Sequence, residues 1–104
     1  KRLMFLFEDI VQIDDRGIQR ILREVDKRDL ALALKIADDK IKNKIFKNMS
    51  ERAAAVVKEE LDYMGPVKLK EVEQAQMRIV DIIKELESEG EISIGGRGKE
   101  DIFV

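Results

Sequence analysis

A chain of 104 residues is long enough for one domain with one modest core. Charged side chains make up 40% of it, yet the formal net charge is only -2, so the basic excess of a general nucleic-acid binder is missing. Cys and His are both absent, which removes disulfides, thiolate and imidazole metal ligands and the usual nucleophilic and acid–base groups. With no Gly-rich phosphate loop either, an enzyme is the least favoured class, and neither cofactor nor metal is expected. No apolar run approaches the roughly 18 residues that span a bilayer, and the start carries no signal-peptide pattern. The expectation is a soluble, cytoplasmic piece of a longer protein, since the chain starts at Lys1.

The first segment, Lys1 to Ile13, opens with an apolar cluster from Leu3 to Phe7 and continues into a short amphipathic turn. These side chains can fill the edge of the core, or they can form a hydrophobic hinge that packs against a preceding domain. After them, Asp14, Asp26, Asp38 and Ser50 recur every twelve residues, and each is a residue type that caps a helix. Behind the caps, Ile18, Ile21, Leu22 and Val25 follow a helical spacing, as do Leu30, Ala33, Leu34 and Ala37, then Ile41, Ile45, Phe46 and Met49. Asp29, three residues after Asp26, has the position of a capping-box partner. Helices this short, joined by a residue or two, must cross steeply, as in armadillo-like stacks.

The helix after Ser50 is bounded by that cap and by Gly65-Pro66, which ends it. Ala53, Ala54, Val57, Leu61 and Met64 fall on one side. Arg52 and Glu59 lie on the other, with Glu60 flanking and Val56 and Tyr63 between. None of Arg52, Glu59 and Glu60 has an opposite charge three or four residues away, the spacing at which exposed helix charges usually pair. That pattern suits a surface that meets a partner. The helix from Leu69 to Glu89 differs: Val72, Ala75, Ile79, Ile82, Ile83 and Leu86 are its apolar face. Arg78, Asp81, Lys84 and Glu87 alternate in sign and are expected to pair with one another. Gly90 closes this helix, and the tail, with Ile92, Ile94, Ile102 and Val104 around three glycines, can form a small hairpin.

The words MFLF (Met4 to Phe7), DDRGIQRILREVDKRDLALALK (Asp14 to Lys35), KIFKNMSERAAAVVKEEL (Lys44 to Leu61) and GPVKLKEVEQAQ (Gly65 to Gln76) cover nearly the whole chain. In these words and their order the chain resembles the C-terminal, torque-generating domain of the FliG family of bacterial flagellar motor switch proteins. The resemblance implies a compact, all-α, six-helix, armadillo-like domain, with residues 1–13 as hinge and first short helix and 14–104 as the charged-helix part. It implies a non-enzymatic rotor component at the cytoplasmic face of the inner membrane, in the flagellar basal body. The family's partner there is the cytoplasmic loop of the stator protein MotA, with FliM and neighbouring FliG subunits in the switch ring. Contact with FliF would go through domains absent here, as would the FliM site on the middle domain. Neither nucleic acid nor direct membrane insertion is implied. The family's charged torque positions carry over to Lys35, Arg52, Glu59, Glu60 and Lys68, and its hinge motif to Met4, Phe5 and Phe7. Gly17 stands where Ser is common in the family, and Ile36 where Gly is common, so the turn that holds Lys35 is open to change.

Plainer readings exist for the same charges. Lys35 suits the negative end of a helix dipole, Lys68 can simply be solvated after its turn, and Arg52 can be tied to an acid on a neighbouring helix. Two other functions also fit parts of the chain. A winged-helix nucleic-acid binder would need a basic recognition helix, and the last helix is mixed in sign. A helical-repeat adaptor would bind a peptide in a concave apolar groove instead of on the Arg52 to Glu60 face.

Overall fold

The helix starts are set by local chemistry. Asp14 accepts the Gly17 N–H at 2.8 Å ahead of α1 (Asp15–Glu24). Asp26 accepts the Arg28 and Asp29 N–H groups at 3.1 and 3.3 Å ahead of α2 (Lys27–Leu34). Asp38 accepts from Ile41 at 3.0 Å before α3 (Asp39–Phe46), and Ser50 from Ala53 at 3.1 Å before α4 (Glu51–Met64). Each bond satisfies a donor that the first turn leaves free. A 3₁₀ helix, Phe7–Gln12, precedes them; Asp9 folds back to accept the Leu6 N–H at 2.9 Å. The longest helix, α5 (Leu69–Ser88), comes last. The computed structural model describes residues 4–94, and among these the fold is all-α with six helical segments. The hairpin expected of the tail falls on residues outside the described range, apart from Ile92 and Ile94, which are buried and belong to no helix or strand. Links between the α-helices are two to four residues long, slightly longer than the sequence suggested. Gly65, at φ 65°, reverses the chain at the end of α4 where an L side chain would be strained.

The centre of the domain is α2. Leu30, Ala31, Leu32, Ala33 and Leu34 are all buried, so this helix has no solvent face along its second half. It packs most extensively on α5 and then on α4. Helical spacing alone picked out Leu30, Ala33 and Leu34 and passed over Ala31 and Leu32; the unbroken apolar run was the better signal. Burial of each of its three Leu side chains contributes about 2 kcal/mol. A buried helix end must also satisfy its last carbonyls. Lys35 N–H reaches the Leu32 carbonyl at 3.1 Å and Ala37 N–H the Leu34 carbonyl at 3.2 Å. The Ala33 carbonyl is served from another helix, by Gln76 Nε2 of α5 at 3.0 Å.

Two charge expectations are revised. Asp29 does not close a capping box. Its carboxylate is held by the Arg78 guanidinium in a two-pronged pair at 2.8 and 3.0 Å, which also pushes the Arg78 pKa up. The alternating ladder on α5 is therefore not self-paired: Arg78 reaches across to α2, because a fork to a carboxylate on a packed neighbour is geometrically better than a contact along its own helix. At the corner between α3 and α4, Asn48 gathers three partners. Its amide donates to the Lys44 carbonyl at 2.9 Å and to Asp15 at 3.1 Å, and its oxygen accepts from Gln19 at 3.0 Å. Asp15 also lies 3.4 Å from Lys44 and 3.7 Å from Lys47. Gly17 in α1 is matched to the segment before it, since a Cβ there would stand 2.6 Å from Ile13 Cγ2.

Two outcomes are expected. Gln76→Met keeps the side-chain bulk but removes the donor, and should lower unfolding free energy in urea by about 1 to 2 kcal/mol with helical content unchanged. The Asn48 hydrogen bond, then Lys44 and Lys47, hold the Asp15 pKa below its ordinary 3.8. The carboxylate therefore stabilises the fold above that value, and the contribution is lost as pH falls through the lowered one. Asp15→Asn should accordingly give a shallower fall in thermal midpoint below pH 3.8 than the parent.

Candidate functional site

Because Ala54 and Val57 are buried, and Ala53, Leu61 and Met64 half-buried, the opposite side of α4 stands in solvent. Along it run Arg52, Val56, Glu59 and Tyr63, each about one turn from the next, so they form a single strip. Val56 is 40% exposed and Tyr63 82%, an unusual degree for an aromatic ring. Two shallow depressions share the strip. One lies along α4 and is lined by Arg52, Val56, Lys58, Glu59, Asp62 and Tyr63. The other lies between α2 and α4 and is lined by Arg28, Val56, Glu59, Glu60, Tyr63 and Met64. Lys58 also places its ammonium 5.0 Å from the centre of the Phe46 ring, tying α4 to α3.

The charges are not equally free. Among the described residues, Arg52 and Glu59 have no ion-pair partner, as their spacing in the helix implied. Glu60 is different. Arg28 Nη1 approaches its Oε1 to 3.3 Å, from a position on α2 that local spacing along α4 could not disclose. Arg52, Glu59 and Glu60 are therefore two open groups and one loosely held one.

Lys35 and Lys68 line neither depression. Lys35 caps the C-terminus of α2 in helical conformation (φ -55°, ψ -38°), where a cation is favoured by the helix dipole. Ile36 follows it 57% exposed, and no described non-glycine residue has positive φ, so the turn needs no glycine there. Lys68 stands at the N-cap of α5 without a side-chain capping bond. A cation at that end opposes the dipole, so local stability does not explain it. At the start of the described chain, Phe5 and Phe7 are buried and Met4 and Leu6 are exposed. The Phe pair joins the same core as Ile10, Ile13 and Ile45. Tyr63 and Arg28 are the residues that the charge pattern did not single out. Tyr63 was legible from its place on the polar side of α4, whereas Arg28 needed the packing of α2 on α4.

Among the described residues no group of acidic side chains is arranged to hold a metal ion. The strip has features suited to protein contact: Arg and Tyr are residue types in which interfaces concentrate binding energy, and here Arg52 and an exposed Tyr63 stand beside the open carboxylate of Glu59.

The chain was compared with known proteins. The model of the FliG C-terminal domain matches residues 1–94. The flagellar motor switch protein FliG of Thermotoga maritima is 62% identical over 104 residues, which are 100% of this chain and 31% of that protein. FliG of Bacillus subtilis is 52% identical over the same length, again 31% of that protein. The chain thus spans about a third of the length of these curated relatives. A crystal structure of FliG from Helicobacter pylori superposes with a TM-score of 0.86 at 46% identity, covering 88% of this chain and 40% of that one. Full-length FliG from Aquifex aeolicus gives a TM-score of 0.80 at 47% identity, over 84% of this chain and 27% of that one. The capped helices, the buried α2 and the sequence match over residues 1–94 agree: the chain belongs to the FliG C-terminal domain family.

Proposed function

We propose that this domain is the rotor-side torque surface of a flagellar motor switch complex, and that the outer strip of α4 engages the cytoplasmic loop of the stator protein MotA. The observation that carries the reading is the pair Arg52 and Glu59, open and of opposite sign, on a helix whose other side is anchored in the core. Glu60 lies beside them, and Lys35 and Lys68 are outlying members of the same electrostatic surface. The domain acts by contact and carries no chemistry of its own. It works at the cytoplasmic face of the inner membrane; among the described residues no helix is long and apolar enough to cross a membrane. FliM and neighbouring FliG subunits are its companions in the switch ring, and contact with FliF goes through other domains.

Charge suits a contact that must form and release at each step. An exposed ion pair is worth at most about 1 kcal/mol and needs no deep burial. Complementary charge also steers encounter and fixes register, so weak pairs can be directional. Residues 1–13 serve as hinge and first short helix and residues 14–104 as the part that moves, so that direction reverses by rigid reorientation of the strip. In this reading Met4, Phe5 and Phe7 are the pivot. Burial of Phe5 and Phe7 means that they also hold the core, so their replacement by Ala costs stability as well as biasing direction.

A strip that works by surface charge can be altered without unfolding the domain. Arg52→Glu and Glu59→Lys should each shift unfolding free energy in urea by no more than about 0.5 kcal/mol. In the full-length protein each should reduce swarming, and together they should reduce it severely. Arg52→Glu should regain motility when a charge in the MotA loop is reversed to match; no rescue by any such reversal would overturn the complementary-charge reading.

A further inference from the structure

The depression between α2 and α4 is a slot of defined chemistry. Glu59 and Glu60 supply two carboxylates, Tyr63 an exposed ring, and Val56 and Met64 apolar side walls. A guanidinium already sits there. Arg28, from α2, is 59% exposed and its Nη1 stands 3.3 Å from Glu60 Oε1, while Glu59 beside it is open. Within the described residues Arg28 makes no second ion pair, so it is free to swing into solvent once Glu60 is engaged by another group.

We propose that Arg28 is a resident competitor for this slot, and that a cationic side chain of the partner enters by displacing it from Glu60. The inference rests on the reading of α4 as a partner-binding strip and adds a residue that sets how tightly the strip holds. The physical basis is that the exchange is nearly balanced. The incoming cation gains a pair of the kind Arg28 gives up, so the net gain is confined to Glu59, to the Tyr63 ring face and to apolar contact with the stem. The Arg28 pair is long and half-exposed, so it costs little to break. Its guanidinium, once released, stays near the slot on the rigid α2 and can return to Glu60 as the partner leaves. Weak holding and rapid clearing then come from the same residue.

The test uses the 104-residue chain, labelled with ¹⁵N, titrated with acetyl-Gly-Arg-Gly-amide and, as control, acetyl-Gly-Glu-Gly-amide. Amide shifts of Val56, Glu59, Glu60 and Tyr63 report the slot. In Arg28→Gln the arginine peptide should bind about three- to fivefold more tightly than in the parent, the gap closing at high salt. Arg28→Lys, which keeps a competing charge, should stay within about twofold of the parent. Tyr63→Ala and Glu59→Gln should weaken binding, and the glutamate peptide should leave these amides unmoved. Unchanged or weaker binding in Arg28→Gln, with the rest of its spectrum intact, would overturn the proposal, since Arg28 would then be shaping the slot and not contesting it. That failure leaves the motility reading standing, whereas failure of charge-reversal rescue in cells leaves the peptide result standing, so the two are told apart.

Discussion

Everything in this domain is arranged around half a helix that water barely reaches. The second half of α2 is apolar on every side, and such a helix is stable only if other elements cover all of it. Two do most of the covering, α5 on one flank and α4 on the other. Covering is also a polar problem, because the carbonyls at the end of a buried helix cannot turn to solvent. Gln76 answers for the Ala33 carbonyl from α5, and the Asp29–Arg78 fork ties the same two helices nearer the start of α2. Apolar contact brings α5 onto α2, and these two polar ties fix its register. The placement of α4 follows, since its buried Val57 joins the same core, with Leu61 and Met64 packed against it.

The strip on α4 is thus the outer surface of an element whose inner surface is spoken for. Ala54 and Val57 are buried inward with Leu61 and Met64 half-buried beside them, and Arg52, Glu59 and Tyr63 stand outward. Glu60 and Lys58 each have a contact with a neighbouring helix, whereas Arg52 and Glu59 make no ion pair among the described residues, so folding does not account for that pair. The exposed ring of Tyr63 adds a feature that charge alone lacks, namely apolar area with a fixed direction. Lys35 and Lys68 stand apart from this strip in different ways. One sits where a helix dipole welcomes it and the other where a dipole opposes it, which separates a position that folding can explain from one that it cannot.

Local features of the chain are legible in its amino-acid sequence. The caps at Asp14, Asp26, Asp38 and Ser50 depend on a side chain and a backbone group three residues away or less, and every one of them forms. The apolar face of α5 and the stop at Gly65 are local in the same sense. What escaped was long-range. Asp29 has a capping-box position, but it meets Arg78 from 49 residues away; Glu60 looked unpaired, but it meets Arg28 from 32 residues away. Spacing within a helix cannot reveal a partner on a neighbour, and an arginine with five donors favours whichever carboxylate accepts two of them. Tyr63 could be read from its place on the outer side of α4, whereas Arg28 beside Glu60 came only with the packing of α2 on α4.

The corner at Asn48 has a mechanical meaning. Force applied to the outer strip of α4 acts mainly as shear along its axis and as torque about its root. That root is the short link from α3, and a link of four residues could yield like a soft joint. Asn48 stiffens it by binding the end of α3, the start of α1 and Gln19 at once, while the Lys58–Phe46 contact braces α4 about two turns from its start. Load entering at Arg52 or Glu59 therefore passes into three helices together. Under the proposed torque reading such a part would lose work wherever it deforms, and a joint tied in this way keeps the compliance low where the lever meets its mount.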